Sequence, residues 1–135
     1  MLGGGNPVGS SNPTGVGTII NYIGKHAFAN SGTVNVADTE LTMIDGVAPN
    51  NSYVVANIQL GCLASTSDDF AVRIKIDGQN VMAVRMANIG QNYLYGHYPF
   101  QIVIPPNSRL QVTLQNFATS TPREWYATLE GEVYA

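Results

Sequence analysis

Apolar and polar residues alternate one for one along Tyr53 to Ala64. Val54, Ala56, Ile58, Leu60, Cys62 and Ala64 fall on one side, and Asn57, Gln59 and Gly61 on the other. A period of two marks a strand with one face buried and one open, and a helix cannot present it. The pattern recurs along the chain. Val72, Ile74 and Ile76 are offset by Arg73 and Lys75; Asp77-Gly78 then supplies the positive φ of a tight hairpin turn, and Val81 to Met86 returns. Ile102 and Ile104 alternate up to Pro105-Pro106-Asn107-Ser108, which ends a strand because proline cannot donate to a ladder. Beyond it Leu110, Val112 and Leu114 alternate with Gln111, Thr113 and Gln115. This reads as strand, turn, strand, with a polar row facing water or another subunit. Trp125, Ala127, Leu129, Gly131 and Val133 alternate with Tyr126, Thr128, Glu130 and Glu132.

Shorter runs at Thr18 to Gly24, Thr33 to Val36 and Thr39 to Ile44 bring the total to about eight strands, and no segment has a helical period. The expectation is an all-β fold: an antiparallel β-sandwich wound as an eight-stranded jelly roll. The single cysteine, Cys62, rules out the inter-sheet disulfide of antibody domains and reads as a small core residue. A length of 135 residues suits one domain. That domain is expected over 18–135, preceded by an extended arm over 1–17. The arm holds six glycines and two prolines and cannot build a core. Leu2, Asn6, Pro7, Val8 and Pro13 are its candidate docking residues on a neighbouring subunit.

Charged residues make up only 11% of the chain, against about 25% in an average soluble domain. The surface is therefore made polar by amides, hydroxyls and glycine, as suits a surface covered by partners. The six basic residues are dispersed and net charge is −3, so a nucleic-acid partner is not expected. No apolar run approaches the ~20 residues of a membrane helix, so no membrane partner is expected either. The N-terminus lacks the basic and apolar regions of a secretory signal.

Little in the chain suggests catalysis. His26 and His97 lack carboxylate or thiolate neighbours at zinc-ligand spacing. Asp68 and Asp69 fall short of the oxygens that calcium needs. Nucleophile, phosphate and dinucleotide motifs are missing. Glu130 and Glu132 could imitate a glycosidase pair, but they read as a solvated pair blunting an edge strand. No catalytic residue, metal or cofactor is expected. Tyr93, Tyr95, His97, Tyr98 and Phe100 crowd one loop and the residue after it. They are candidates for a subunit contact or, alternatively, for a ligand site.

Three segments together carry a resemblance: Asn21 to Gly32 with the strands to Asp45, the Phe70 to Met86 hairpin, and Ile102 to Leu110 with the closing Leu129-Glu-Gly-Glu-Val-Tyr. This pattern resembles the small single jelly-roll and β-sandwich structural proteins of bacteriophages and other double-stranded DNA viruses. The resemblance implies a non-enzymatic capsid decoration or vertex component located in the virion. It further implies self-association, as a trimer or pentamer, and contact with other capsid proteins. The alternative is a carbohydrate- or receptor-binding module of a viral spike or fibre, with Trp125 joining the tyrosine-rich loop as a ligand contact.

Overall fold

Ten strands and no helix form among the described residues of the computed structural model, which are 18–37, 39–62, 70–86, 97–117 and 123–135. The arm candidates Leu2, Asn6, Pro7, Val8 and Pro13 lie outside them. The strands are β1 (Asn21–Ile23), β2 (His26–Asn30), β3 (Val34–Val36), β4 (Leu41–Val47), β5 (Tyr53–Cys62), β6 (Phe70–Ile76), β7 (Gln79–Met86), β8 (His97–Ile104), β9 (Arg109–Asn116) and β10 (Arg123–Tyr134). A six-stranded sheet runs β1-β2-β10-β5-β8, with β3 also on β10; a four-stranded sheet runs β4-β9-β6-β7. All strand pairs are antiparallel.

The pairings nest inside one another. β2 and β3 pair with β10, β4 with β9, β5 with β8, and β6 with β7. The first and third of these pairs lie in one sheet, the second and fourth in the other. A chain doubled back on itself and then rolled up gives this order, which is a jelly roll. The strand count departs from eight for two local reasons. β1 is an added strand, joined to β2 by a two-residue turn with Gly24 at φ 59°. The first framework strand is broken at Ser31-Gly32, where Gly32 adopts φ 70°. The break does not release β10. Ser31 N donates to the Ala127 carbonyl (2.9 Å), and Ala127 N donates to Ser31 Oγ (2.9 Å). The serine hydroxyl thus stands in for the missing backbone acceptor.

Asp77 and Gly78 both take positive φ, 52° and 84°, which is the type I′ geometry that matches strand twist. The turn at Pro105 to Ser108 is also real: Ser108 N donates to Pro105 O (3.3 Å) and Asn107 sits at φ 57° behind Pro106, a type II arrangement. It is not a hairpin, however. β8 and β9 lie in different sheets, so this turn is a corner between them. Ala48 N to Ser108 O and Asn107 N to Pro49 O, each 2.9 Å, zip the corner to the chain leaving β4.

The core fills the space between the inward rows. From the six-stranded sheet come Val34, Val36, Val54, Ile58, Leu60, Ile104, Trp125 and Leu129; from the four-stranded sheet come Met43, Ile44, Phe70, Val72, Ile74, Leu110, Val112 and Leu114. Met43 and Ile44 are neighbours, yet both are buried, because a bulge falls between Thr42 and Ile44. Thr18 seats against that bulge: its N–H donates to Met43 O (3.1 Å) and its carbonyl accepts from Asp45 N (2.8 Å). Trp125 is fully buried, its ring tilted against Phe70 at 4.7 Å between centroids. That burial removes Trp125 from the set of candidate ligand contacts.

Candidate functional site

The sandwich has two outer faces, and their polar side chains behave differently. On the four-stranded sheet they are tied to one another. Thr113, on the central strand β9, is buried and donates from Oγ1 to Glu40 Oε2 at 2.5 Å. Lys75 Nζ reaches the same carboxylate oxygen at 3.0 Å and Arg73 Nη1 at 3.7 Å, while Arg73 Nη1 also donates to Gln115 Oε1 at 3.0 Å. Burial pushes the Glu40 carboxyl up. The Thr113 and Lys75 hydrogen bonds, with the charges of Lys75 and Arg73, outweigh it and hold the group below its ordinary range. Near the corner, Arg109 forks onto Asp45 with Nε to Oδ1 at 2.8 Å and Nη2 to Oδ2 at 2.6 Å. Within the polar row Gln111, Thr113 and Gln115, Thr113 and Gln115 are engaged by the chain's own neighbouring side chains, and Gln111 is half-buried beside them.

On the six-stranded sheet the register builds two rows across four strands. One row reads Phe28, Glu130, Asn57, Gln101; the next reads His26, Glu132, Val55, Val103. Between them is a hollow of about 390 Å³ lined by His26, Val55, Asn57, Gln101, Glu130, Gly131, Glu132 and Tyr134. A second hollow of about 310 Å³, lined by Ile23, Lys25, His26 and Glu132, adjoins it and shares two of those side chains. Together they form one open trough from β8 to the β1–β2 hairpin. Among the described residues no side-chain hydrogen bond or ion pair engages Glu130, Glu132, Asn57 or Gln101. Aromatic pairs flank the trough: Tyr53 stacks on Tyr134 at 5.5 Å and His26 on Phe28 at 5.8 Å.

The inner row beneath the trough is unusually small: Ala27, Gly131 and Ala56 are register partners. A Cβ placed on Gly131 would lie 2.3 Å from the Val55 carbonyl oxygen and 2.8 Å from Ala56 Cα. β10 is thus pressed against the β5 backbone where Glu130 and Glu132 emerge, and only glycine permits it.

The sequence candidates are distributed as follows. Glu130 and Glu132 are exposed on one face, as expected, but β10 is a central strand paired on both sides, so they blunt no edge. His97 and Tyr98 belong to strand β8 rather than to a loop. Phe100 faces inward opposite Ile58 and packs half-buried against the core. Tyr93, Tyr95, Asp68 and Asp69 lie outside the described residues. Asn57, Gln101, His26 and Tyr134 were not anticipated as companions of the two glutamates. Cross-strand register unites them, and no local spacing encodes it. Among the described residues no group of three or more His, Cys, Asp or Glu could hold a metal ion. No described helix is long and apolar enough to cross a membrane.

No protein-family model and no curated protein matches the chain. Among solved structures it is similar to the insecticidal delta-endotoxin Cry8Ea1 from Bacillus thuringiensis, at 14% identity over 80% of this chain and 18% of that chain, with a TM-score of 0.38. At that score the likeness carries no argument about this chain.

Proposed function

We propose that the chain is a non-enzymatic structural protein of a virus particle, a capsid decoration or vertex component that holds the shell through contacts between subunits. The observation that carries this reading is the placement of the exposed aliphatic side chains. The strands that end the two sheets are β1, β8, β4 and β7. Each bears one such residue: Ile23 is 69% exposed, Val103 52%, Val47 51% and Val81 52%. Pro99 on β8 and the bulge on β4 guard two of these edges against strand addition, but on all four the aliphatic side chains stay open to lateral packing. The rolled topology is one that capsid proteins use, and the sparse charge agrees with a surface meant to be covered. Residues 1–17 would reach from the block onto a neighbour. Repeated over many copies, modest burial at ~25 cal/mol per Å² becomes a strong hold.

The test is the mass of the purified full chain by sedimentation and its appearance by electron microscopy. A symmetric trimer or pentamer is expected, and it should fall apart when Val81 and Val103 are both changed to lysine. A chain that stays monomeric at high concentration would overturn the reading.

A further inference from the structure

The trough on the six-stranded sheet has a chemistry that the structural role does not use. Gln101, Asn57 and Glu130 stand side by side on β8, β5 and β10, each about 4.8 Å from the next by strand spacing. They offer two amides, which both donate and accept, and a carboxylate, which accepts only. Glu132 adds a second acceptor in the next row and His26 an imidazole. Among the described residues none of the carboxylate or amide groups is spent on an internal contact, in contrast to the opposite face. The half-buried Val55 and the exposed Tyr134 ring supply apolar surface among these groups. From Gln101 to Phe28 the row spans three strand spacings, about 14 Å. Its volume lies within the ~300–1,000 Å³ of small-molecule sites.

We infer that this trough binds a neutral oligosaccharide. A sugar presents hydroxyls that each donate and accept at closely spaced points, together with C–H faces. The trough answers the first with a line of amides and carboxylates and the second with Tyr134 and Val55. The two carboxylates repel acidic glycans, since the lysine ammonium lining the trough sits only at its far end, on Lys25. A basic peptide is the poorer fit, because the acidic groups lie on β10 alone and the rest of the trough is amide and apolar. The inference does not rest on the capsid reading: a monomer that binds glycans would end that reading and leave this one standing.

The experiment presents the full chain to an array of neutral, sialylated and sulfated oligosaccharides, with decalysine titrated in parallel by calorimetry. Binding to neutral oligosaccharides is expected. Affinity should fall about tenfold or more in each of Gln101→Ala, Asn57→Ala and Glu130→Ala. Glu130→Gln, which keeps the side-chain volume, should also weaken it. Lys75→Ala, on the opposite face, should leave affinity unchanged. Circular dichroism confirms that each variant is folded. Silence on the array, binding only to acidic glycans or only to decalysine, or neutral-glycan binding indifferent to all the trough variants would each overturn the assignment.

Discussion

Two sheets share one core, yet their outer faces are finished differently. On the four-stranded face Glu40 is the hub of a closed network with Thr113, Lys75 and Arg73, and Arg73 passes the contact on to Gln115. On the six-stranded face Glu130 and Glu132 stand over a trough with no partner among the described residues. Both faces carry carboxylates and amides, and on the four-stranded face Lys75, Arg73 and the Thr113 hydroxyl stand within reach of the carboxylate. What differs is whether the chain spends its polar groups on itself. A committed face adds stability and offers little to a ligand. An uncommitted face adds little stability and retains its hydrogen-bonding capacity. Carboxylates of one residue type can thus have opposite value in one small domain.

The largest effect should come from disturbing the backbone under the open face. Gly131→Ala drives a Cβ into the Val55 carbonyl, and rigid backbone must move to admit it. A loss of about 1–3 kcal/mol is expected in denaturant melts. Gly61→Ala is the control on the same strand pair. Its Cβ would meet the Tyr126 ring at 2.3 Å, but a half-buried side chain can turn aside. Its cost should be under about 1 kcal/mol. Equal costs at the two glycines would break the claim that β10 is pressed onto β5 beneath the trough.

A smaller effect separates the two faces directly. Glu40→Ala leaves the buried Thr113 hydroxyl without its acceptor and Lys75 without its partner, at a cost of about 1–2 kcal/mol. Glu130→Ala should change stability by no more than about 0.5 kcal/mol. The pH dependence follows in sign. The Glu40 carboxyl is held below its unfolded range. Its contribution is therefore complete above the ordinary glutamate range and is lost as pH falls through the lowered folded value. Glu40→Gln should flatten that acid limb, by under about 1 kcal/mol because the pair is partly solvated. Melting curves of the unaltered chain and of Glu40→Gln between neutral pH and pH 3 read this effect, and an acid limb left unchanged by the substitution would contradict it.

Much of this architecture can be read from alternation alone. The inward row of Val54, Ala56, Ile58 and Leu60 is buried as its period demands. Asp77-Gly78 turns as its composition demands. Pro105 to Ser108 marks a turn correctly, but alternation cannot reveal whether the flanking strands share a sheet, so a corner between layers reads as a hairpin. His26 to Asn30 escapes notice as a strand because alanine against histidine, phenylalanine and asparagine gives little contrast. Pro99 disguises the start of β8, and it is tolerated there because β8 is an edge. The trough was the least legible part. The two glutamates are visible as a pair on one side of a strand. Their companions come from β2, β5 and β8, brought together by pairings that span most of the chain.

The contrast between the faces is most directly tested by backbone amide shifts of the full chain, titrated with the neutral oligosaccharide that binds best on the array. The amides of His26, Phe28, Val55, Asn57, Gln101, Glu130, Glu132 and Tyr134 should move together and saturate, while those of Arg73, Lys75, Thr113 and Gln115 stay in place. Shifts confined to the four-stranded face, or no saturable shift on either, would contradict the account.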